Sequence, residues 1–221
     1  MKNSLNLIVM LTHNDKTVNN AYEVFEKCKN SKAKFFGFKE KPLPLSEMKK
    51  LYRYMKKCGK RTVLEVVSYT EHEGLEGAQM AVECEVDILM GTKYFDSIHA
   101  LCKENNIKYM PFIGEIVGRP SVLKGTIDSM IDEANRLIEK GVYGFDLLGY
   151  RFEGNALELN KQLVSKIDVP VCVAGSVNSY ERLDELKDVM PRAFTIGGAF
   201  FENKFGDDFD VQINKVCEYV K

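Results

Sequence analysis

The segments VAGSV (173–177) and TIGGAF (195–200) decide the fold of this 221-residue chain. Each is a short apolar run that ends in a glycine turn, and a helical pattern follows each turn. Glycine lets a backbone approach an anion closely, and the free N–H groups at a helix start supply hydrogen-bond donors. Two such units in succession predict parallel strands with a phosphate bound between their turns. The predicted phosphate-binding residues are Gly175, Ser176, Gly197 and Gly198.

Upstream of these turns, apolar runs alternate with amphipathic segments along the whole chain. The runs are apolar at nearly every position, as expected for parallel strands that are covered on both faces. The predicted strands are 5–11, 33–38, 62–67, 87–90, 109–113, 144–148, 171–174 and 193–196. The predicted helices, which carry apolar residues at about i, i+3 and i+4, are 20–30, 46–57, 74–85, 97–105, 127–140, 156–166 and 180–189, and a short extra helix is expected after the last glycine turn.

Eight strand–helix units in this length give roughly 28 residues per unit, which suits a closed (β/α)8 TIM barrel of the α/β class. A doubly wound open sheet is the competing arrangement. The units continue evenly to the C-terminus with no low-complexity linker between them. The sequence therefore favours the barrel, as one domain over residues 1–221.

Composition limits the partners of the chain. Hydrophobic residues make up 45% and charged residues 29%, with a formal net charge of −1, so neither a nucleic-acid surface nor a membrane surface is indicated. Phosphate binding must then be a local property. The six cysteines form no CxxC pair, and no signal peptide is evident, so we expect reduced thiols and a cytoplasmic protein. The expected partner is a small phosphorylated metabolite, and a homodimer is possible.

The paired glycine turns resemble the phosphate loops of the ribulose-phosphate-binding barrel superfamily, over about the last quarter of the chain. That superfamily includes N-acetylmannosamine-6-phosphate epimerase and the histidine-biosynthesis barrels. The resemblance implies a phosphate site after strands 7 and 8 and an enzyme that acts on a phosphorylated substrate.

Other superfamily motifs differ in this chain. The decarboxylase-like branch has Asp-x-Lys-x-x-Asp on its third strand, where this chain has EVVS (65–68). No histidine lies inside a predicted strand, as the metal-binding epimerases would require. The paired aspartates of the histidine-biosynthesis barrels have no clean counterpart, because Asp15 falls beyond its strand and the fifth unit has Glu115. The resemblance therefore leaves the chemistry open.

Two lysines are candidates for a reactive amine. Lys39 follows the apolar run FFGF (35–38), so burial should lower its pKa and make it a general base or a Schiff-base nucleophile. An ordinary loop lysine is the alternative. Lys93 follows the fourth strand, where transaldolase-type barrels carry their nucleophile, which is an analogy of fold only. Which of the two is reactive stays open at this point.

Glu65 and Asp146 lie inside apolar strands, where an acid is costly to bury unless it is paired or used. We expect at least one of them in the active site, although a structural ion pair with Arg151 or Lys39 is the alternative. Arg151 can hold a carboxylate or a sugar hydroxyl through its planar fork.

His13 and Glu115 are further candidates at the mouth of the barrel, with His13 as a proton-transfer group. No cofactor is required, although Glu65, Asp146 and Glu115 could offer oxygen ligands to a magnesium-type ion. The leading hypothesis is an isomerase, epimerase or aldolase-type lyase that acts on a small phosphorylated sugar or keto acid. The alternatives are a phosphoribosyl-handling transferase or synthase and a non-catalytic binder of a phosphorylated metabolite.

Overall fold

Eight parallel strands form one sheet in the computed structural model of the chain, which describes residues 5–221. The strands are β1 (Asn6–Met10), β2 (Phe35–Lys39), β3 (Arg61–Val66), β4 (Ile88–Gly91), β5 (Lys108–Met110), β6 (Phe145–Leu147), β7 (Val171–Val173) and β8 (Ala193–Ile196). Their order in the sheet is β6-β7-β8-β1-β2-β3-β4-β5, so the chain adds one strand after another around a ring.

The two ends of this sheet, β5 and β6, meet and nearly close the ring. The backbone N–H of Tyr143 donates to the carbonyl of Tyr109 at 3.1 Å, and that of Asp146 donates to Pro111 at 3.0 Å. Phe112 forms a parallel bridge with Asp146. The predicted (β/α)8 TIM barrel is therefore confirmed, and the open sheet is excluded.

Helices surround the strands on the outside of the barrel. They are α1 (Ala21–Cys28), α2 (Leu45–Lys57), α3 (Glu71–Glu83), α4 (Asp96–Glu104), α5 (Ile127–Glu139), α6 (Ala156–Lys166), α7 (Tyr180–Val189), the four-residue α8 (Gly198–Phe201) and α9 (Phe209–Tyr219). The short helix after the last glycine turn was expected, whereas α9 was not among the predicted helices. Helix α9 packs against β1 and α1 and completes the eighth unit.

The apolar core has two parts because side chains alternate across each strand. The larger part fills the space between strands and helices, and includes Phe25, Phe36 and Tyr52. A smaller cluster fills the barrel itself, with members such as Met10, Val63 and Cys172. The barrel interior is thus packed, and the space for a ligand lies above it, at the carboxyl ends of the strands.

Two short hairpins interrupt the strand–helix series at this mouth. The first hairpin pairs Thr12–His13 with Lys16–Thr17, and the second hairpin pairs Glu115–Val117 with Val122–Lys124. Both segments read as loops in the sequence, because two- or three-residue strands have no measurable periodicity. Both hairpins contribute side chains to the mouth.

No helix within residues 5–221 is long and apolar enough to cross a membrane. All six cysteines are free thiols, and four of them are buried. The predicted domain of residues 1–221 begins with 1–4, which lie outside the described residues, and it stays a prediction.

Candidate functional site

The carboxyl ends of the strands surround a cavity of about 680 Å³. Its wall is built from the segments that follow every strand except β4. This is the place where the barrel fold carries its active sites. The predicted site residues on the wall are His13, Lys39, Glu65, Arg151, Gly175, Ser176, Gly197 and Gly198.

Lys93 and Glu115 do not line this cavity, in contrast to the expectation from the sequence. The chain leaves β4 through Thr92 in a left-handed conformation (φ +62°), and the half-buried Lys93 follows outside the cavity wall. Glu115 opens the second hairpin and is exposed.

Lys39 stands at the centre of an ion-pair cluster. Its Nζ lies 2.5 Å from Oδ1 of Asp15 and 3.6 Å from Oε1 of Glu65. Burial opposes the positive charge of Lys39, but Glu65 and Asp15 outweigh burial and raise the pKa of the amine above its ordinary value. The expectation of a lowered pKa is wrong, because the charges of Glu65 and of Asp15, which the sequence did not place beside the amine, exceed the effect of burial. Lys39 is therefore an ammonium ion at neutral pH.

The first hairpin holds both the backbone and the charge of Lys39. Asn14 and Asp15 form its two-residue turn with φ of +48° and +63°, a conformation that Asn and Asp tolerate well. Asp15 thereby reaches the amine of Lys39. Thr17 is 2% exposed, and its hydroxyl accepts from the N–H of Lys39 at 2.9 Å and donates to the carbonyl of Lys39 at 2.7 Å. The hairpin thus holds both the N–H and the carbonyl group of Lys39, the last residue of β2.

Asp15 also connects Lys39 to the far side of the mouth. Nη1 of Arg151 lies 3.9 Å from Oδ1 of Asp15 and 3.5 Å from the carbonyl oxygen of Ser121, which it contacts as a donor. Arg151 ends a 3₁₀ turn (Gly149–Arg151) that follows β6. One carboxylate therefore lies between two cations that come from different parts of the barrel.

Asp146 lies on β6, is fully buried and does not line the cavity. Neither of its carboxyl oxygens has a hydrogen-bond partner among residues 5–221. Desolvation, with Glu65 as a second cause, raises its pKa well above the ordinary aspartate value, against the opposing effects of Lys39 and Arg151. The native protein therefore favours the neutral form of Asp146.

The structure gives no group of three or more His, Cys, Asp and Glu side chains within residues 5–221 that could hold a metal ion. The oxygen ligands that the sequence suggested are dispersed. Glu65 pairs with Lys39, Asp146 is buried, and Glu115 is exposed on its hairpin.

The two glycine turns lie on the same cavity wall. Gly175 has φ of +110°, a conformation that residues with a Cβ rarely adopt. Gly197 packs against the first hairpin, since a Cβ at this position would lie 2.5 Å from Oγ1 of Thr12 and 2.9 Å from its carbonyl oxygen. Helix α8 starts at Gly198, and the first N–H groups of a helix have no acceptor within it. Gly175 therefore allows close backbone approach, and the start of α8 offers backbone donors.

We expect Gly197→Ala to destabilise the protein by about 1–3 kcal/mol, because the added methyl group cannot fit beside Thr12. Gly198→Ala is the matched control, since the nearest atom to its Cβ, Nδ1 of His13, would be 3.7 Å away. Urea unfolding of both variants measures the difference. Equal losses of stability in the two variants would contradict the packing that we describe.

The cavity wall is rich in charge of both signs. The basic residues are Lys16, Lys39, Lys41, Arg119 and Arg151, and the acidic residues are Asp15, Glu40, Glu65 and Glu202. Asp15 and Glu65 are engaged with Lys39, and burial raises the pKa of Glu40. Among residues 5–221, no ion pair engages Lys16, Lys41 or Arg119. The mouth can therefore attract an anion although the whole chain is almost neutral.

Residues of this site that were not selected from the sequence include Asp15, Thr17, Arg119 and Glu202. For Asp15 and Thr17 a signal exists, because Asn-Asp between two short polar segments is typical of a two-residue hairpin turn. Arg119 lies in the loop after β5, and only the second hairpin brings it back over the mouth.

Solved structures with the same fold come from several enzymes. Orotidine 5'-phosphate decarboxylase from Pyrococcus horikoshii aligns with a TM-score of 0.72 at 10% identity, over 97% of this chain and 98% of that chain. N-(5'-phosphoribosyl)anthranilate isomerase from Pyrococcus furiosus aligns with a TM-score of 0.65 at 15% identity, over 98% of each chain. N-acetylmannosamine-6-phosphate 2-epimerase from Clostridium perfringens aligns with a TM-score of 0.63 at 15% identity, over 88% of this chain and 86% of that chain.

Neither a protein-family model nor a curated protein sequence matches the chain. At such identities the structural similarity concerns the fold. The chain is a (β/α)8 barrel whose structural neighbours are members of the ribulose-phosphate-binding barrel superfamily.

Proposed function

We propose that this chain is an isomerase or epimerase that moves a proton on a carbon next to a carbonyl group in a small phosphorylated sugar or keto acid. The observation that carries the proposal is the Lys39 ammonium ion, held between Asp15 and Glu65 in a cavity that also contains the two glycine turns. Two of the structural neighbours are an isomerase and an epimerase by name, and both names include a phosphorylated compound.

The glycine turns would anchor the phosphate. Backbone donors near Gly175 and Gly198 suit an anion, and the unpaired cations of the mouth favour its approach. Binding energy from this anchor would position the carbon skeleton over the Lys39 cluster, although the phosphate itself takes no part in the reaction.

The Lys39 cluster would perform the proton transfer. The ammonium group can stabilise the negative charge that develops on a carbonyl oxygen when the neighbouring carbon loses its proton. Asp15 or Glu65 can accept that proton and return it. The raised pKa of Asp146 favours its neutral form, which adds no further negative charge beside Glu65.

An aldolase-type lyase would use the same lysine in another way. An imine forms only from a neutral amine, and the raised pKa of Lys39 keeps its amine charged at neutral pH. The two carboxylates therefore favour proton transfer over imine formation at this site.

Exchange of a carbon-bound proton into deuterated water tests the proposal. The protein is incubated with ribulose 5-phosphate, N-acetylmannosamine 6-phosphate and dihydroxyacetone phosphate, and deuterium is located by NMR. Ribulose without phosphate is the control, and it should exchange far more slowly. A parallel sample with dihydroxyacetone phosphate or pyruvate is treated with borohydride and mapped by mass spectrometry.

Exchange without a covalent adduct would support the isomerase. An adduct on Lys39 without exchange would show the lyase instead. Binding of these phosphates with neither exchange nor an adduct would indicate a non-catalytic binder, and a preference for phosphoribosyl compounds among bound ligands would indicate the transferase or synthase.

We expect Glu202→Gln to strengthen the binding of inorganic phosphate about three- to tenfold at low salt. The Glu202 carboxylate lies beside the glycine turn, with Oε1 3.8 Å from the position of a Cβ on Gly198. Lys204, at 3.8 Å from Oε2, compensates its charge only in part. Isothermal titration calorimetry measures the affinity, and added salt should reduce the gain. The exposed Glu139→Gln on α5 is the control, and unchanged or weaker binding by Glu202→Gln would place the phosphate elsewhere.

A further inference from the structure

Arg119 is a cation of the mouth whose position is fixed by backbone rather than by an acid. Its Nη2 donates to the carbonyl oxygen of Val67 at 2.9 Å, just beyond the end of β3. The second hairpin that carries Arg119 is itself held down, because the Tyr69 hydroxyl donates to the carbonyl of Gly118 at 3.1 Å and lies 2.8 Å from the hydroxyl of Ser121. The guanidinium group therefore keeps a defined place on the cavity wall.

The charge of Arg119 is not neutralised within the described part of the chain. Lys39 and Arg151, the other two fixed cations of the cavity, both contact Asp15. No acidic side chain forms an ion pair with Arg119 among residues 5–221. Only one of its five N–H groups is engaged by Val67, so a planar pair of donors remains for a ligand.

The strand order places Arg119 across the mouth from the phosphate turns. Strands β3 and β7 are four positions apart in a ring of eight and are therefore opposite each other. Gly175 follows β7, and Gly197 follows β8. The Asp15 contacts with Lys39 and Arg151 lie between these two sides. A ligand that is anchored at the turns and crosses the Lys39 cluster would next meet Arg119.

We propose that Arg119 binds a second anionic group, a carboxylate or a second phosphate, at the end of the substrate opposite its anchored phosphate. The inference rests on the proposed function, because it assumes a phosphate at the glycine turns. A guanidinium fork matches both groups in two parallel hydrogen bonds. The cavity of about 680 Å³ has room for such an extended, two-ended ligand. The substrate class is thus a sugar acid phosphate or a sugar bisphosphate.

Calorimetric titration with three ligands distinguishes a carboxylate site, a second phosphate site and the absence of a second anion site. Ribulose 5-phosphate carries one anionic group, 6-phosphogluconate adds a carboxylate, and ribulose 1,5-bisphosphate adds a second phosphate. We expect the wild-type protein to bind at least one two-anion ligand about tenfold or more tightly than ribulose 5-phosphate. Whether 6-phosphogluconate or the bisphosphate gains more identifies the second group.

Arg119→Met should remove this preference, with a clearly smaller loss of affinity for ribulose 5-phosphate than for the two-anion ligands. Arg119→Lys, which keeps the charge but loses the planar fork, should give an intermediate preference. Arg136→Met, on the exposed face of α5, is the matched control.

Phenylglyoxal modification of the wild-type protein gives a measurement that does not depend on the folding of a variant. A two-anion ligand should protect Arg119 from modification, and ribulose 5-phosphate should not.

Equal wild-type affinities for the three ligands would overturn the inference, as would an equal loss for all three in Arg119→Met. Failure of both two-anion ligands to bind would overturn it as well. If ribulose 5-phosphate still binds and exchanges its proton in that case, the proposed function stands without the second anion site. If none of the three ligands binds, the phosphate anchor fails together with it.

Discussion

Lys39→Met should lower the rate of substrate proton exchange by about a thousandfold or more. The variant keeps an apolar side chain of similar length at the cavity wall, but it loses the ammonium group that, in the proposed reaction, stabilises the developing charge on the carbonyl oxygen. Loss of one charge-stabilising group typically costs a factor of about 10² to 10³, and loss of acid–base function costs a similar factor. Asp15 and Glu65 would also lose the ammonium group that pairs with both of them. Neither carboxylate would then be held in position to act as the base.

Lys93→Met is the matched control for this prediction. Lys93 is half-buried and also follows a barrel strand, but it lies outside the cavity wall. The Lys93→Met variant should catalyse proton exchange of the substrate at the wild-type rate. Deuterium incorporation into the substrate that the wild-type protein processes measures all three proteins, after thermal melting shows that each is folded. Retention of exchange in Lys39→Met, or its loss in Lys93→Met, would remove Lys39 from the reaction.

Asp146→Leu should stabilise the protein by about 2–4 kcal/mol at neutral pH. Asp146 is fully buried without a hydrogen-bond partner among residues 5–221, so it contributes a costly polar group to the native state. Leucine fills the site with apolar atoms and needs no partner. If Asp146 serves the reaction, the same variant should be more stable and less active.

The pH dependence of this gain has a definite sign. In the unfolded chain Asp146 loses its proton above its ordinary pKa of 3.8, whereas the raised pKa keeps the proton on the native protein. The native state then binds more protons than the unfolded state, and this group lowers stability as the pH rises from the ordinary pKa toward the raised one. The advantage of Asp146→Leu should therefore grow by up to about 1.4 kcal/mol per pH unit within that window.

Urea unfolding of the wild-type protein, Asp146→Leu and Asp146→Asn at about pH 5, 6 and 7 measures this slope. Asp146→Asn removes the titration but keeps a polar group, so it should lose the slope without the full gain in stability. The exposed Asp132→Leu on α5 is the control, and its difference from the wild-type protein should not change with pH. A pH-independent difference for Asp146→Leu would show that Asp146 is ionised in the native state.

The fold could be predicted from the sequence because its parallel strands are buried on both faces. Continuous apolar runs mark such strands, and all eight runs correspond to strands of the barrel. The boundaries moved most at β5, where the run 109–113 became Lys108–Met110 because the chain leaves regular pairing at Pro111. Helix α9 is amphipathic, but it was not predicted, because no strand follows it to mark the segment in which a helix should lie.

The site could be predicted only in part, because its central contact joins distant segments. Asp15 and Lys39 are 24 residues apart, and a two-residue turn brings them together. Without Asp15, the apolar surroundings of Lys39 predicted a lowered pKa, the reverse of what its two carboxylates produce. Lys93 was a candidate by analogy with other barrels, and the left-handed Thr92 excludes it from the cavity.

The Lys39 cluster and the glycine turns come from different halves of the barrel. Lys39, Asp15 and Glu65 all come from the first three units, whereas the glycine turns come from the last two. The contact of 3.9 Å between Asp15 and Arg151 joins the halves at the mouth. Substitutions in the first half should therefore change the proposed chemistry without moving the proposed phosphate anchor, and the Asp15–Arg151 contact is where a change in one half would be felt in the other.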